Sequence, residues 1–268
     1  MAVAKAARIG NHLQILSSGA TTSIEEAIAA RGAPVWFQLY VRSWPITEAL
    51  LRRAERAGSL VAVVTVDGGM PTNWETLARL RRTDKRQCNG CHGTSTQDFF
   101  ARRPNFDRIE LSDPASLDIA YLTWDSIKRL RDTVRMKIVL KGILTHEDAI
   151  LAADNGIDGI IVSNHGGRVV DSGAGTIEVL PEIIKAVGGR MPVLVDSGFR
   201  RGTDIIKALA MGAQAVCTGR PYLWGLGAFG QPGVERVLEI LREETRAAMQ
   251  QVGAPSIKHL TRDFVRRA

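Results

Sequence analysis

Short apolar runs alternate with longer amphipathic stretches along the chain. Between the runs lie helical patterns such as ITEALLRRAERAG, WDSIKRLRDTV and GTDIIKALAMGA. The runs are apolar at consecutive positions, which is typical of parallel strands covered by helices on both faces. The alternation therefore predicts repeating βα units around a parallel sheet. The predicted strands are Leu13–Ser17, Val35–Tyr40, Leu60–Val66, Lys137–Lys141, Gly159–Ser163, Pro192–Asp196 and Gln214–Thr218.

These units predict an α/β barrel of the TIM (β/α)8 type that lacks one strand. The chain has 268 residues, close to the ~250 residues of a single barrel, and a complete barrel has eight strands. The chain begins with a helical pattern, MAVAKAARIG, that leads directly into the first predicted strand. We therefore expect one domain over residues 1–268, with the first barrel strand missing.

Two stretches depart from this alternation. Residues 67–122 are polar and show no clear core pattern, and such a long connection is rarely idle in a compact domain. We expect them to form a long active-site loop region. Residues 234–268 contain the pattern VERVLEILREETRAAMQQVG. It predicts a C-terminal helical tail that closes the barrel or packs on its outside.

Composition narrows the class of protein. The chain is 45% hydrophobic and 24% charged, which excludes a disordered protein. No apolar run reaches the ~18 residues of a membrane span, and the N-terminus lacks the pattern of a secretory signal. Three cysteines do not make a disulfide framework, so we expect a cytoplasmic protein.

The net charge of +7 fits either nucleic acid or an anionic small molecule. Twenty-six glycines spread among apolar runs favour an enzyme over a nucleic-acid-binding arm. The basic stretch Arg79–Arg86 is interpreted as a solvated helix face. We therefore expect no nucleic-acid partner.

Polar residues gather where the predicted strands end. Active residues of α/β barrels lie at the C-terminal ends of the strands, so these side chains are expected to share one rim. A base, several cations and a phenol together would suit an anionic substrate that undergoes proton and electron transfer. The residues are Gln38, Tyr40, Thr65, Asp67, Lys141, Ser163, His165, Arg168, Asp196, Gly219 and Arg220.

The loops after the last two strands predict a phosphate site. They read DSGFRRGT from Asp196 and TGRP from Thr218. Barrels often bind phosphate at these two loops through backbone N–H groups and a helix N-terminus. Arg200 and Arg220 would add charge-assisted hydrogen bonds. This pattern indicates a phosphorylated cofactor such as flavin mononucleotide (FMN).

The run SNHGGR, from Ser163 to Arg168, with Asp171 shortly after it, resembles the signature of FMN-dependent α-hydroxy-acid oxidases and dehydrogenases. Glycolate oxidase, lactate oxidase and mandelate dehydrogenase belong to that family. The segments ATTSIEE, WFQLY, TVD, LKGI, DSGFRRGTDIIKALAMGA and GRP extend the resemblance over nearly the whole chain. It implies FMN-dependent oxidation of an L-2-hydroxy acid, lactate- or mandelate-like, to the 2-oxo acid. It also implies O2 or an electron carrier as reoxidant, and a homo-oligomer, commonly a tetramer.

The resemblance further implies roles for single residues. His165 matches the base that removes a substrate proton, and Asp67 matches the carboxylate that orients it. Tyr40 and Arg168 match the groups that bind the substrate. Lys141 matches the lysine that stabilises the reduced anionic flavin. The remaining matches would bind FMN: Ser17, Gln38, Thr65 and Ser163 at the isoalloxazine or ribityl chain, and Asp196, Gly198, Arg200, Gly219 and Arg220 at the ribityl chain and phosphate.

The sequence departs from the family pattern at three places. The family has a further N-terminal portion that carries the first strand. It also has an arginine where Trp74 stands, so carboxylate binding is expected to be weaker by about 1.5–3 kcal/mol, the scale of a charged hydrogen bond. Gly19 stands where plant glycolate oxidases have tryptophan. The glycine predicts a more open pocket that favours a bulkier or aromatic α-substituent.

The three cysteines suggest little further chemistry. Cys88–His92, CNGCH, has the spacing of a c-type haem attachment site. A C-x-x-C pair also binds zinc, with His92 and His146 as the nearest supplements. We favour a plain polar loop and no metal. Cys217 lies inside an apolar strand and is expected to be a buried small hydrophobe.

Two other functions stay open at this point. One is a different FMN-dependent barrel enzyme, similar to isopentenyl-diphosphate isomerase, although the SNHGGR and TVD motifs argue against it. The other is a truncated, catalytically impaired member of the α-hydroxy-acid oxidase family. The missing N-terminal portion and Trp74 support this second alternative.

Overall fold

A computed structural model describes residues 1–68, 74–85, 95–111, 113, 118–169 and 173–266. Within these residues seven strands form one parallel sheet in chain order. Each strand coincides with a predicted run to within two residues, so the predicted parallel sheet is confirmed. The strands are β1 (Ile15–Ser17), β2 (Trp36–Tyr40), β3 (Val61–Thr65), β4 (Lys137–Ile143), β5 (Gly159–Val162), β6 (Val193–Val195) and β7 (Ala215–Val216).

The sheet is curled, and its edges in the described part of the chain are β1 and β7. This arrangement is consistent with a TIM barrel that lacks one strand, as the sequence predicts. None of the described helices is long and apolar enough to cross a membrane. The helices are α1 (Ala2–Gly10), α2 (Ile24–Arg31), α3 (Trp44–Arg56), α4 (Glu75–Thr83), α5 (Thr96–Ala101), α6 (Trp124–Thr133), α7 (His146–Asp154), α8 (Thr176–Val187), α9 (Gly202–Ala210) and α10 (Arg220–Gln251).

Both faces of the sheet are apolar because each packs against a different layer. On the concave face, Val63, Val139 and Ile161 form a small inner core with Val61 and Leu194. The convex face packs against the helices and forms the larger core. This division explains why the strands show consecutive apolar residues instead of an alternating pattern.

Helix α10 is longer than the sequence predicts. It begins at Arg220, directly after β7, and is broken at Gly230, whose φ of 64° and ψ of −140° are not helical. The part expected as a tail is its second half. It packs on the outside of the sheet against α1 and α9. Pro232 and the glycines of this segment mask the helical pattern before residue 234.

The connection expected as a loop over residues 67–122 contains α4 and α5 and a 3-10 turn at Pro104–Phe106. Phe100 and Phe106 are buried in the main core. The fully buried Asn105 accepts a hydrogen bond from the Ile24 N–H and donates to the carbonyl of Ser18. Single anchors of this kind leave no periodic pattern, which is why the sequence reads as loop.

Strand β4 carries an irregularity at the end that faces the site. Its register with β5 shifts between Lys141 and Ile143. Gly142 lies there with a φ of 115°, and a Cβ at this residue would lie 2.7 Å from the Asp67 Cβ. The bulge thus lets Asp67 pack directly against the backbone next to Lys141.

Candidate functional site

A cavity of about 370 Å³ lies at the C-terminal ends of the strands. This volume is within the usual range for small-molecule and cofactor sites. Twelve of the fourteen residues predicted for the site line it: Ser17, Gln38, Tyr40, Thr65, Lys141, His165, Arg168, Asp196, Gly198, Arg200, Gly219 and Arg220.

The other two predicted residues, Asp67 and Ser163, lie behind this lining. Asp67 contacts the ring of His165, and Ser163 contacts both Lys141 and the backbone of His165. The strand register places the set: Tyr40 lies opposite Thr65, and Thr65 lies opposite Lys141. The structure thus brings all fourteen residues to one end of the sheet.

His165 lies between a carboxylate and a phenol. Its Nδ1 is 2.9 Å from Asp67 Oδ1 and 3.1 Å from Oδ2. Its Nε2 is 3.1 Å from the Tyr40 hydroxyl. The two rings are stacked, with centroids 6.2 Å apart. The imidazole therefore has both nitrogens engaged and its orientation fixed.

These contacts select one tautomer of His165. A carboxylate only accepts hydrogen bonds, so Nδ1 carries the proton that is donated to Asp67. Nε2 then holds a lone pair and accepts from the Tyr40 hydroxyl. Burial raises the pKa of Tyr40, and the charge of Asp67 adds to the rise, so the phenol stays protonated and able to donate. Once a substrate displaces the Tyr40 contact, the Nε2 lone pair of this tautomer can act as a base.

Lys141 lies in a semi-buried polar cluster. Its Nζ donates to Ser163 Oγ at 3.0 Å and lies 3.4 Å from Asp196 Oδ2. The Lys141 and Asp196 side chains are only 18% and 17% exposed. Beside them, the Gln38 amide donates to Thr65 Oγ1 at 2.7 Å. The ammonium is thus held in place at the cavity wall by two oxygen partners.

The charge of the cavity lining suits an anionic group. Four cations line the cavity (Lys141, Arg168, Arg200 and Arg220), and Asp196 is the acidic residue among the described lining. The Thr218 hydroxyl, which also lines it, is buried and has no hydrogen-bond partner in the described part of the chain. A Cβ added at Gly198 or Gly219 would meet no atom within 4 Å, so both backbones border open space.

These features fit FMN. A phosphate would find backbone N–H groups, the Thr218 hydroxyl and two guanidinium groups at the loops after β6 and β7. A polar isoalloxazine edge would find Gln38, Thr65 and Lys141 on the neighbouring strands. The donor set therefore matches a flavin that carries a phosphate.

Four polar residues of the cavity lining are not among the predicted site residues: Ser197, Cys217, Thr218 and Tyr222. Burial raises the pKa of Tyr222. Burial, followed by the charge of Asp196, raises the pKa of the Cys217 thiol to about 12. Cys217 was expected to be buried inside a strand, but it directly follows β7 and is only partly buried, because it packs against the inner core on one side and faces the cavity on the other. The sequence does hold a signal for two of them. Ser197 and Cys217 each lie at the C-terminal end of a predicted strand, next to a polar residue, Asp196 or Thr218.

Two residues singled out as departures lie at different distances from the cavity. The ring centroid of Trp74 is 6.0 Å from the Arg168 Cζ, at the limit of a cation–π contact. Gly19 is outside the described lining, and a Cβ there would approach only the Ser17 Oγ, at 3.8 Å. Trp74 therefore neighbours the predicted carboxylate-binding arginine, and Gly19 borders open space.

The motif Cys88–His92 lies outside the described residues, so neither its haem nor its zinc interpretation is tested. Within the described ranges, no group of three or more His, Cys, Asp or Glu side chains is arranged to hold a metal. Residues 79–83 of the basic stretch belong to α4, which has no buried residue. This placement agrees with a solvated helix face.

A second cavity, of about 1080 Å³, lies between α9, α10 and the C-terminal segment. It is larger but mostly apolar, and it contains none of the fourteen predicted residues. It adjoins the smaller cavity at Phe199 and Thr218. The convergent polar groups line the smaller cavity, which is therefore the candidate site.

The comparisons with known proteins agree with this geometry. The family model for FMN-dependent dehydrogenases matches residues 1–267. A peroxisomal (S)-2-hydroxyacid oxidase of Arabidopsis thaliana is 40% identical over an alignment of 273 positions, which covers 99% of this chain and 72% of that protein. The 2-hydroxyacid oxidase 2 of Mus musculus is 39% identical, over 98% of this chain and 72% of its own length. A crystal structure of mandelate oxidase superimposes with a TM-score of 0.80 at 38% identity, covering 97% of this chain and 72% of that one.

Proposed function

Because this chain belongs to the FMN-dependent dehydrogenase family, with 2-hydroxyacid oxidases among its relatives, we propose that it oxidises a 2-hydroxy acid. The proposed substrate is an aromatic L-2-hydroxy acid, which is converted to the 2-oxo acid in the smaller cavity. FMN is the cofactor of this family. One observation carries the proposal: His165 is held between Asp67 and Tyr40, with its lone pair toward a cavity rich in cations.

The reaction removes two electrons and two protons from the substrate, and FMN, when bound, would accept both electrons and one of the protons. His165 Nε2 takes one proton, and Asp67 stabilises the imidazolium that results. Arg168 binds the substrate carboxylate through its two-pronged guanidinium. Tyr40 donates its hydroxyl hydrogen to the substrate once the substrate displaces the His165 contact.

The residues that would hold FMN divide into two groups. Ser17, Gln38, Thr65, Lys141 and Ser163 would bind the isoalloxazine or upper ribityl chain. Lys141 brings a positive charge, and such a charge favours a flavin that has gained electrons. The second group would bind the lower ribityl chain and phosphate: Asp196, Gly198, Arg200, Thr218, Gly219 and Arg220.

The aromatic substrate class rests on three supports. Gly19 lies two residues after the cavity residue Ser17 and borders open space that a larger side chain would occupy. Trp74 brings an aromatic ring to within 6.0 Å of Arg168, next to the proposed carboxylate site. The structural relatives are mandelate oxidases that hold aromatic acids such as benzoyl-formic acid. A lactate-like acid would fit the same carboxylate site but would leave this space unfilled.

We predict that the purified chain with FMN shows a flavin absorption spectrum that L-mandelate bleaches under anaerobic conditions. L-lactate and glycolate are expected to bleach it more slowly at equal concentration, by about tenfold or more, because each forgoes apolar burial of roughly 1–3 kcal/mol. Stopped-flow absorbance at the flavin band measures the three rates.

Two outcomes would contradict different parts of the proposal. A clear preference for glycolate would refute the aromatic substrate class but not the reaction. A protein that stays colourless after reconstitution with FMN would refute the activity of this chain. It would favour the impaired family member instead.

We also propose that O2 is the reoxidant, because the curated relatives are named oxidases. The prediction is that aerobic turnover of L-mandelate forms one hydrogen peroxide per 2-oxo acid. A peroxidase-coupled assay measures the peroxide, with catalase as the control. Turnover only with an added electron-accepting dye would instead identify a dehydrogenase.

For compartment and assembly we propose a cytoplasmic homo-oligomer. The sequence has three cysteines and Cys217 is a free thiol, which suits a reducing compartment, although the Arabidopsis relative is peroxisomal. Leu223, Trp224 and Phe229 on α10 are 49%, 60% and 76% exposed. Apolar side chains this exposed support an interface beside the cavity.

A further inference from the structure

We propose that Ser197 is a positioning residue that ties the Lys141–Asp196 ion pair to the loop carrying His165. This inference rests on the proposed function, since it assigns a role to a residue of the same cavity. Ser197 directly follows Asp196 at the end of β6, and its side chain is half-buried at the cavity wall.

The Ser197 hydroxyl makes two hydrogen bonds in opposite senses. It donates to Asp196 Oδ1 at 2.6 Å. It accepts from the backbone N–H of Gly166 at 2.9 Å. The first bond is to a carboxylate and is therefore of the stronger, charge-assisted kind. One hydroxyl thus joins the counter-ion of Lys141 to the residue that follows His165.

A second serine completes a closed network around the lysine. Ser163 Oγ accepts from Lys141 Nζ at 3.0 Å and from the His165 N–H at 3.1 Å. Lys141 itself lies 3.4 Å from Asp196 Oδ2. The N–H groups of His165 and Gly166 are therefore held by two serine hydroxyls, one on each side of the ion pair. The cofactor-facing cation and the proton-accepting loop form one hydrogen-bonded unit.

The backbone at Ser197 shows why the hydroxyl has a role. Its φ is 74°, in the left-handed region that costs free energy for any residue with a Cβ. Glycine adopts this conformation without that cost. His165 also lies in this region, with a φ of 56°. The presence of serine instead of glycine at this strained position is explained if the site requires the two hydrogen bonds of the hydroxyl.

Loss of the hydroxyl should have two separable effects. The Asp196 carboxylate loses a hydrogen-bond donor, so its negative charge offsets more of the positive charge of Lys141. A reduced, anionic flavin beside this ion pair is then less stable. The Gly166 N–H loses its acceptor, so the loop that carries His165 is held less firmly. The first effect is electrostatic and the second is local opening.

The test compares Ser197→Ala with Ser197→Gly, which both remove the hydroxyl but differ in backbone strain. Thr176→Val is the matched control. The Thr176 hydroxyl donates to the backbone carbonyls of Asp196 at 2.6 Å and of Ser197 at 3.4 Å, so its loss perturbs the same backbone without removing the Ser197 hydroxyl. Redox titration with a dye measures the midpoint potential of bound FMN without any hydroxy acid. NMR hydrogen exchange at the Gly166 amide measures loop opening in the chain with or without FMN.

Both Ser197 variants are expected to lower the two-electron midpoint potential by the equivalent of about tenfold in the equilibrium constant, or roughly 30 mV. Both should speed Gly166 exchange about tenfold, the scale of one lost hydrogen bond. Thr176→Val should lower thermal stability but leave potential and exchange unchanged. The result is independent of substrate: a chain that fails to oxidise hydroxy acids can still show both shifts.

Three results would overturn the proposal. If Ser197→Gly matches the parent while Ser197→Ala does not, the position acts through its backbone conformation alone. If Thr176→Val shifts the potential or the exchange equally, the effect is general loss of structure. If Gly166 exchange is unchanged in both Ser197 variants, the hydroxyl does not hold the loop.

Discussion

His165→Ala is expected to stop reduction of bound FMN by a 2-hydroxy acid while FMN stays bound. His165 is the group whose lone pair faces the cavity, and Asp67 and Tyr40 hold both ring nitrogens. General-base catalysis contributes about 10²- to 10⁴-fold, so the reduction rate should fall by at least that factor. Anaerobic stopped-flow absorbance measures the rate, and the flavin content of the purified variant measures binding.

The control for this variant is His146→Ala. His146 begins α7, and its side chain is 48% exposed, away from the described cavity lining. In the His146→Ala variant, a 2-hydroxy acid should reduce bound FMN at the parent rate. Near-normal reduction in the His165 variant would exclude the imidazole as the base, whereas loss of FMN from it would indicate a structural role for this loop.

Lys141→Met is the second substitution with a large expected effect, on both FMN affinity and reduction. Methionine retains much of the side-chain length but removes the charge and the hydrogen bond to Ser163. It also leaves the semi-buried Asp196 carboxylate without its cation. A lost charged hydrogen bond costs about 1.5–3 kcal/mol, so FMN should bind roughly 10- to 100-fold more weakly. Fluorescence titration with FMN measures the affinity.

Lys137→Met provides the matched control on the same strand. Lys137 begins β4 at the opposite end of the sheet and its side chain is exposed. It should bind and reduce FMN like the parent chain. If Lys141→Met binds FMN with parent affinity and is reduced at the parent rate, Lys141 does not belong to the cofactor site.

The strands and the contents of the cavity could be predicted because both follow from local sequence. Consecutive apolar residues mark a strand covered on both faces, and parallel strands bring their polar C-terminal residues to one rim. Twelve of the fourteen predicted residues therefore reach the same cavity. The two set behind it, Asp67 and Ser163, make hydrogen bonds to His165 and Lys141; the resemblance implies the first of these contacts, and only the folded chain shows the second.

The parts that could not be predicted depend on contacts between distant segments. Asn105 bonds to the backbone of residues 18 and 24, more than 80 positions away, and neither apolar periodicity nor a turn pattern records this. The predicted C-terminal helix is shorter than α10 because Gly230 and Pro232 interrupt the helical pattern of the sequence. The sequence does not indicate a role for Ser197 because that role depends on the Gly166 N–H, which belongs to another loop.

The bulge at Gly142 restricts the substitutions that this sequence can tolerate. Its φ of 115° disfavours every other residue, and a Cβ there would lie 2.7 Å from the Asp67 Cβ and 2.9 Å from the Asp67 backbone nitrogen. A mutation at this codon would therefore displace the carboxylate that orients His165, and a compensating change elsewhere would have to relieve both problems. Gly19 and Trp74 carry no such constraint. Substitutions at these two positions are therefore expected to be tolerated more readily than a substitution at Gly142.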